Sequence, residues 1–313
     1  MSVRRHIAMC VDRDFALPLA VALASIDASP GAEDITVHIL QPGLPADVRA
    51  RVQAGVARAT VSWITVDEAR LRGAHYTTSL SIAALYRLLL DELLPDEVER
   101  VLYLDADTVV EDALDEVFAA DLRGGVLGAV RDANTPWAAT MNGSPWRQLG
   151  LDPGGLYFNS GVLLIDRTAW RDADVGSRCL RLLRRSPLRW GDQDALNGIV
   201  GPGWTELPLR WNVQTSQYRG DCAGWALWPD EVARAIEHPG VIHFTETAKP
   251  WHHGSEHPAA ARWERWLERT AWAGWRSLPI RDPAAVRAAR RLLAALRRAR
   301  AASQRRALRG VGS

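Results

Sequence analysis

Short apolar runs alternate with longer amphipathic segments through the first part of the chain. The runs are short and rich in large apolar side chains, which predicts strands; they are HIAMCVD (6–12), ITVHIL (35–40), VSWITV (61–66) and VLYLD (101–105). The segments between them show helical spacing; they are FALPLAVALASIDAS (15–29), LPADVRARVQAGV (44–56) and SLSIAALYRLLLDELLP (79–95). Strands that alternate with helices predict an α/β fold around a mostly parallel sheet flanked by helices.

The second half of the chain continues this pattern less regularly. Three further runs predict strands: GVLGAV (125–130), FNSGVLLID (158–166) and VIHF (241–244). Two segments predict helices, RTAWRDADVGSRCLRLLRR (167–185) and GDQDALNGIV (191–200). No internal repeat is visible, so the sequence predicts one α/β domain rather than an array of units.

Two carboxylates stand where the run VLYLD ends. Asp105 and Asp107 are two residues apart, a spacing that places both on one side of an extended chain. Ligands of open α/β sheets bind beyond the carboxyl ends of the strands. Two hard anionic oxygens there suit Mg²⁺ or Mn²⁺, completed by the phosphates of a substrate. Two loop aspartates that cap the next helix would look the same, so this motif alone leaves both interpretations open.

Composition narrows the class of protein. The 313 residues are 47% hydrophobic, as in soluble globular domains, and no apolar run approaches the roughly 18 residues that span a bilayer. Asp12 and Asp14 interrupt the N-terminal segment before an apolar stretch develops, so no signal peptide is expected. Three cysteines without metal-ligand spacing predict a reduced, cytoplasmic environment.

Charge is unevenly distributed along the chain. Residues 281–313 contain ten arginines and one acid, so the other 280 residues hold 28 basic and 36 acidic side chains, a net charge of −8. The tail from Pro283 is predicted to form one basic amphipathic helix. This helix could dock on the acidic body or bind an anionic membrane, and the sequence slightly favours peripheral attachment to the inner membrane face.

Four blocks, in order, carry a specific resemblance. VLYLDADTVV (101–110), YFNSGVLLID (157–166), WGDQDALN (190–197) and HFTETAKPW (243–251) together resemble the retaining glycosyltransferases of family 8, which include glycogenin and bacterial lipopolysaccharide galactosyltransferases and glucosyltransferases. The resemblance implies a GT-A catalytic domain over residues 1–252. A Trp-rich extension at 253–280 and the basic tail at 281–313 would follow it.

Haloacid dehalogenase phosphatases share a strand followed by D-x-D, but the rest of the sequence argues against them. Those enzymes need a lysine between the nucleophile and a final acidic motif. The only lysine here, Lys249, follows Asp192 and Asp194, and the GDQD stretch lacks the required acidic spacing. A phosphatase is therefore not expected.

The resemblance assigns a metal site and a phosphate contact. His243 matches the family's third metal ligand beside Asp105 and Asp107, and imidazole with two carboxylates suits Mn²⁺. Lys249 matches a contact to the leaving-group phosphates; arginine fills the other 37 of 38 basic positions, so a compact ammonium is expected to matter there. Glu246 stands where the family usually has glycine, and a carboxylate beside phosphates is repulsive unless it points away.

The resemblance also assigns the reacting centre. Gln193 matches the residue that faces the anomeric carbon, and Asp132 and Asp192 match carboxylates near the donor sugar. Gln193, whose amide is a poor nucleophile, is expected to stabilise positive charge on the sugar. The donor contacts implied by the family are Asp12, Asp14, Phe15, Arg87, Asp105, Ala106, Asn159, Ser160, Asp194, Glu246 and Lys249.

The sequence therefore predicts a metal-dependent retaining enzyme that moves a hexose from a UDP-sugar to a hydroxyl acceptor, such as a glycan or glycolipid. The cofactor is expected to be Mn²⁺ or Mg²⁺, and no nucleic acid partner is expected. Two alternatives stay open. One is a nucleotide-sugar-binding protein whose catalysis is impaired at Glu246. The other is a nucleotidyltransferase, although residues 8–20 lack the basic triphosphate loop that such an enzyme would need.

Overall fold

A seven-stranded mixed sheet forms the centre of the molecule. The computed structural model describes residues 4–75, 81–140, 145–247 and 249–277. The strands are β1 Arg5–Cys10, β2 Ile35–Gln41, β3 Thr60–Thr65, β4 Arg100–Leu104, β5 Thr108–Val110, β6 Leu127–Arg131, β7 Phe158–Asp166, β8 Trp204–Glu206, β9 Val213–Gln214 and β10 Val241–His243. The central sheet has the order β3-β2-β1-β4-β7-β6-β8, and β5-β10-β9 form a second, small sheet.

Helices cover both faces of the central sheet. The α-helices are α1 Ala16–Ala28, α2 Ala46–Gln53, α3 Leu90–Leu93, α4 Asp115–Phe118, α5 Trp146–Leu149, α6 Arg167–Asp172, α7 Val175–Arg185, α8 Asp192–Val200, α9 Thr215–Arg219, α10 Ala223–Leu227, α11 Pro229–Glu237 and α12 Ala260–Leu267. The 3-10 helices are Arg13–Phe15, Ala32–Asp34, Glu68–Leu71, Ile82–Leu89 and Leu209–Asn212. One apolar cluster packs α1 against one face, and a second packs 82–90, α7 and α8 against the other.

The predicted α/β class is confirmed, with one strand reversed. The strands β1 to β4 pair in parallel, whereas β7 runs antiparallel to both β4 and β6. Leu104 at the end of β4 therefore pairs with Val162 in the middle of β7, and the first four residues of β7, Phe158 to Gly161, lie beyond the end of β4. Between β7 and β6 the register shifts so that residues 160–162 bulge, because Ala129 pairs with Leu163 and Val130 with Asn159. The reversal places the FNSG segment at the edge where β4 ends.

Two predicted helices differ in form. Residues 82–89 are a 3-10 helix that only becomes α-helical at Leu90–Leu93, because apolar side chains recur there every third residue, which matches three residues per turn. The predicted helix 167–185 is broken into α6 and α7 at Asp174, whose φ of 50° is left-handed. Aspartate tolerates this conformation better than most residues. The break depends on this backbone conformation, so the pattern of apolar residues does not reveal it.

Part of the predicted Trp-rich extension packs onto the domain. Helix α12 lies against α1 and the small sheet, where Trp263 and Trp266 are buried. The indole of Trp266 and the guanidinium of Arg265 both donate to the buried carboxylate of Glu111, which follows β5. The predicted tail helix at 281–313 lies outside the described residues. Among the helices that are described, none combines the length and apolarity needed to cross a membrane.

Candidate active site

Asp105, Asp107 and His243 come together where the two sheets meet. The aspartates lie in the turn between β4 and β5, and β10 pairs with β5 so that His243 stands opposite Thr108. Nε2 of His243 lies 3.2 Å from Asp107 Oδ1 and 3.5 Å from Asp105 Oδ2. One ligand atom from each residue falls within 4.8 Å of the others, which suits a single metal ion.

Gly161 leaves the space in which these ligands meet. A Cβ at this position would lie 2.0 Å from Cε1 of His243 and 2.7 Å from Oδ2 of Asp105. The backbone of β7 at Gly161 thus packs directly against the side chains of His243 and Asp105. The Asp105 N–H also donates to the Gly161 carbonyl at 2.8 Å. Only glycine fits at position 161 without displacing these side chains. The donor set of two carboxylates and one imidazole fits Mn²⁺ or Mg²⁺.

Arg87 ties the loop that carries Asp105 and Asp107 to α8. Its buried guanidinium donates to Asp105 Oδ1 at 2.7 Å and to the Ser160 carbonyl at 2.6 Å, and its Nε lies 3.1 Å from Asp192 Oδ2. The Tyr103 hydroxyl also donates to Asp105 Oδ1, at 2.6 Å. Asp105 is therefore held in one orientation from two sides.

Asp192 is a buried carboxylate with an altered acidity. Burial raises the pKa of Asp192 to about 6, the Arg87 guanidinium opposes this rise, and the negative charge of Asp105 adds to it. A carboxyl group with such a pKa can change its protonation near neutrality, unlike an exposed aspartate.

Lys249 reaches the same loop from the segment after β10. Its ammonium lies 2.5 Å from Asp107 Oδ2 and also donates to the Phe244 carbonyl. Burial alone would raise the pKa of Asp107, but the ammonium of Lys249 outweighs burial and holds that pKa well below its usual range. The one lysine of the chain is therefore part of this cluster.

Glu246 has an unusual backbone and a partner. Its φ of 69° is left-handed, a conformation that favours glycine, which agrees with the glycine expected there from the family resemblance. Its carboxylate accepts from the Arg219 guanidinium on α9 at 2.6 Å. Thr215, also on α9, donates its hydroxyl to the Thr245 carbonyl at 2.8 Å, so α9 holds this loop at two points.

A second group of polar side chains surrounds Asp132. Its Oδ2 accepts from Asn159 Nδ2 at 3.2 Å and from Gln193 Nε2 at 3.3 Å. Gln193 Oε1 in turn accepts from the Ser160 N–H at 3.0 Å. Both ends of the Gln193 amide are thus fixed. One hydrogen-bond network beside the cluster of Asp105, Asp107 and His243 joins three side chains, those of Asp132, Asn159 and Gln193, to the Ser160 backbone N–H.

The residues after β1, Asp12, Asp14 and Phe15, border the site, and among the described residues they make no hydrogen bond or ion pair with Asp105, Asp107 or His243. Asp12 Oδ1 accepts from the backbone N–H groups of Asp14 and Phe15 and so caps a 3-10 turn. Asp14 is exposed, and Phe15 packs edge-on against Trp251 with ring centroids 6.0 Å apart. Trp251 follows Lys249 closely in sequence, so Phe15 lies on the side of the site from which the lysine comes.

Two of the predicted donor contacts, Asp194 and Ala106, have buried side chains. Asp194 is fully buried; its oxygens accept from the Tyr157 hydroxyl and from the Trp190 N–H, each at 2.7 Å. Ala106 is buried in the apolar cluster that includes α1. Both residues stay predicted donor contacts, and the hydrogen bonds to Asp194 fix its carboxylate.

Sequence reasoning missed the segment 212–217. Asn212, Gln214, Thr215, Ser216 and Gln217 are polar, yet each is at most 1% exposed. Gln214 accepts from Ala133 N–H and donates to the Arg131 carbonyl, which fixes the loop of Asp132. A run of polar residues between Trp211 and Tyr218 was the available signal, but it has neither a strand nor a helix period.

Comparison with known proteins places this site in a family. The model described as Glycosyl transferase family 8 matches residues 6–254. General stress protein A of Bacillus subtilis is 25% identical over 276 residues, which cover 85% of this chain and 94% of that protein. The lipopolysaccharide 1,2-glucosyltransferase of Escherichia coli K12 is 25% identical over 274 residues, 85% of this chain and 78% of that enzyme.

A solved structure gives the same picture of the fold. The galactosyltransferase LgtC, in complex with donor and acceptor sugar analogues, superimposes with a TM-score of 0.73 at 28% identity, covering 85% of this chain and 96% of that one. The mixed sheet flanked by helices is thus the GT-A arrangement.

Proposed function

This chain belongs to glycosyl transferase family 8, and from that membership we propose that it transfers a hexose of the glucose or galactose type from a UDP-sugar to a hydroxyl acceptor, with retention of configuration and with Mn²⁺ or Mg²⁺. The observation that carries the proposal is the meeting of Asp105, Asp107 and His243, whose ligand atoms lie within 4.8 Å of one another and could hold one metal ion. The names of similar proteins, which include a lipopolysaccharide 1,3-galactosyltransferase of Salmonella typhimurium, support a glycan or glycolipid as acceptor.

The residues around the cluster have distinct roles in this proposal. A bound divalent ion would supply positive charge to the diphosphate of the departing UDP, and Asp105, Asp107 and His243 would hold it. Lys249, which pairs with Asp107, would contact a phosphate oxygen of the bound diphosphate. Arg87 keeps Asp105 oriented, and Phe15 and Asp12 border the side proposed for the uridine.

Gln193 and Asp132 are proposed to serve the sugar. The Gln193 amide is fixed at both ends, so its oxygen keeps a constant position and can stabilise the positive charge that develops on the anomeric carbon. Asp132 anchors that amide and adds negative charge. Attack by the acceptor hydroxyl from the face of the departing UDP would then retain the anomeric configuration.

A panel of UDP-sugars tests the proposed function. UDP release is measured with each sugar, with Mn²⁺ and with EDTA, in the presence and absence of lipid-linked and soluble glycan acceptors. We expect release with UDP-glucose or UDP-galactose that depends on Mn²⁺ and increases with an acceptor. Release that persists in EDTA, or binding of UDP-sugars without any turnover, would contradict the proposal.

Replacement of Gln193 by alanine should lower kcat far more than it changes the affinity for the UDP-sugar. The reason is that a charge present mainly in the transition state is stabilised only there. We expect a loss of about 100-fold in kcat, the usual cost of one well-placed electrostatic contact. The measurement is steady-state kinetics combined with calorimetric binding of the UDP-sugar. An equal loss of affinity, or a covalent sugar adduct trapped on Gln193, would speak against this role.

The alternative of an impaired, binding-only protein rests on Glu246. The Arg219 guanidinium lies 2.6 Å from this carboxylate and balances its charge. The repulsion between Glu246 and the phosphates, on which that alternative depends, is therefore smaller.

Replacement of Arg219 tests the importance of this ion pair. Arg219→Gln should weaken UDP binding by roughly two- to fivefold, because it removes the positive charge that faces the Glu246 carboxylate near the phosphates, and a partly exposed ion pair contributes up to about 1 kcal/mol.

A double-mutant cycle checks this prediction. Glu246→Gly alone should bind UDP slightly more tightly than the wild type, because it removes a carboxylate that repels the phosphates and allows the backbone to approach the diphosphate closely. The double variant Arg219→Gln, Glu246→Gly should recover the loss seen in Arg219→Gln. If the double variant binds UDP as weakly as the single arginine variant, Arg219 contacts the nucleotide in a way that the ion pair does not explain.

A further inference from the structure

A chain of hydrogen bonds leads from the metal cluster into the group around Asp132. Nδ1 of His243 lies 3.1 Å from Asn212 Oδ1, and Asn212 Nδ2 lies 2.9 Å from Asn159 Oδ1. Asn159 Nδ2 then donates to Asp132 Oδ2. Asn212 is fully buried at the end of a 3-10 helix, immediately before β9. No role was assigned to it from sequence.

The direction of every bond in this chain follows from one backbone group. The Gly161 N–H can only donate, and it meets Asn159 Oδ1 at 3.0 Å. This atom of Asn159 is therefore the carbonyl oxygen, and the group of Asn212 that meets it must be the NH₂. The remaining Asn212 atom is then an oxygen, which accepts a hydrogen bond. Nδ1 of His243 must carry the proton that it accepts.

The consequence for His243 concerns its other nitrogen. When Nδ1 holds the proton of a neutral imidazole, Nε2 has its lone pair free. That lone pair faces Asp105 and Asp107 at 3.5 and 3.2 Å. A lone pair directed at carboxylate oxygens is repulsive unless a cation lies between them. The hydrogen bond from Nδ1 to Asn212 thus leaves Nε2, on the opposite side of the ring, free to bind a metal ion together with Asp105 and Asp107.

We propose that Asn212 is a positioning residue that fixes the tautomer and the ring orientation of His243 and so sets the affinity of the site for a divalent ion. The inference rests on the proposed metal site and goes beyond its three ligands. The same amide links that histidine through Asn159 to Asp132, which anchors Gln193. Residues that hold the metal and residues that face the sugar therefore share one buried support.

The first test measures metal affinity without any sugar transfer. Mn²⁺ is titrated by calorimetry into the full chain without nucleotide. Asn212→Leu, which offers no acceptor to Nδ1, should weaken Mn²⁺ binding about 10- to 100-fold, the usual cost of losing an outer hydrogen-bond partner of a ligating histidine. Asn212→Asp keeps the acceptor for Nδ1, although it loses the donor to Asn159 Oδ1, and it should therefore bind Mn²⁺ more tightly than Asn212→Leu. Equal Mn²⁺ affinity of Asn212→Leu and wild type, or equal weakness of both variants, would overturn the proposal.

A matched control separates positioning from general damage to the core. Asn197 is a similarly buried asparagine whose side chain bonds to both backbone groups of Phe158, and it lies outside the chain to His243. Asn197→Leu should lower the melting temperature and leave the Mn²⁺ affinity unchanged. If it weakens Mn²⁺ binding as much as Asn212→Leu, the effect of Asn212 is one of stability and the proposal fails.

A second test reads the tautomer directly. Nitrogen-15 chemical shifts of the His243 ring, assigned with a His243→Gln variant and followed to a pH at which the ring is neutral, report which nitrogen keeps its proton in the metal-free protein. We expect a protonated Nδ1 in the wild type and loss of that preference in Asn212→Leu. An unprotonated Nδ1 in the wild type, or no difference between the two proteins, would overturn the proposal. Because no transfer is measured, a failure of the proposed function leaves this result intact and is recognised separately by the UDP-sugar panel.

Discussion

Replacement of Asp107 by asparagine is expected to abolish Mn²⁺-dependent UDP release. Asp107 Oδ1 faces Nε2 of His243 while Oδ2 faces Lys249, so the substitution removes the charge on which both depend. A bound metal contributes several kcal/mol of charge stabilisation to such a reaction, and about 1.4 kcal/mol corresponds to a tenfold change in rate. We therefore expect at least a thousandfold lower rate of UDP release.

A neighbouring carboxylate supplies the control for this variant. Asp112 is half exposed and pairs with Arg210 away from the cluster, so Asp112→Asn should release UDP at the wild-type rate. Thermal melting of both variants checks that the fold is retained, because asparagine preserves the shape of the side chain. Full activity of Asp107→Asn would disprove the metal interpretation of the D-x-D motif.

Replacement of Gly161 by alanine should also weaken the site, although it removes none of the three side chains. The added Cβ would lie 2.0 Å from His243 and 2.7 Å from Asp105 Oδ2, so both ligands must move apart. We expect Mn²⁺ affinity to fall by more than about tenfold and UDP release to fall with it. The measurements are calorimetric titration with Mn²⁺ and the rate of UDP release.

Gly176 supplies the control for this variant, because a Cβ there would be about as crowded as one at Gly161 but lies outside the site. A Cβ there would lie 2.1 Å from the Leu88 carbonyl, where α7 packs against the 82–89 helix. Gly176→Ala should therefore lower the melting temperature while the folded protein keeps its Mn²⁺ affinity. If Gly161→Ala also changes only the melting temperature, the close approach of β7 is a packing feature and has no function in metal binding.

Much of this fold was predictable because short apolar runs report burial. The strands β1 to β4 and β7 lie where the sequence predicts them, and the carboxyl end of β4 carries the two aspartates. The direction of β7 was not predictable from its own residues, since a strand buried on both faces is apolar in either direction. A parallel β7 would have placed Asn159 and Ser160 at the opposite edge of the sheet.

The site was predictable to a similar degree. The motif and the family resemblance identified Asp105, Asp107 and His243, and the structure brings them together. The ion pair of Glu246 with Arg219 and the contact of His243 with Asn212 join residues that are distant in sequence. Neither contact has a spacing or a composition that one sequence alone reveals, because each depends on how α9 and β9 pack beside β10.

The small sheet β5-β10-β9 has a consequence for the newly synthesised chain. Asp105 and Asp107 leave the ribosome long before His243, and they meet it only when β10 pairs with β5. A growing chain that ends before β10 has two carboxylates without the imidazole, so its affinity for Mn²⁺ should be low. Capture of the ion would then stabilise only the completed domain, since a ligand that binds the native state alone shifts the folding equilibrium toward it. Metal uptake by this protein should therefore mark the end of its folding.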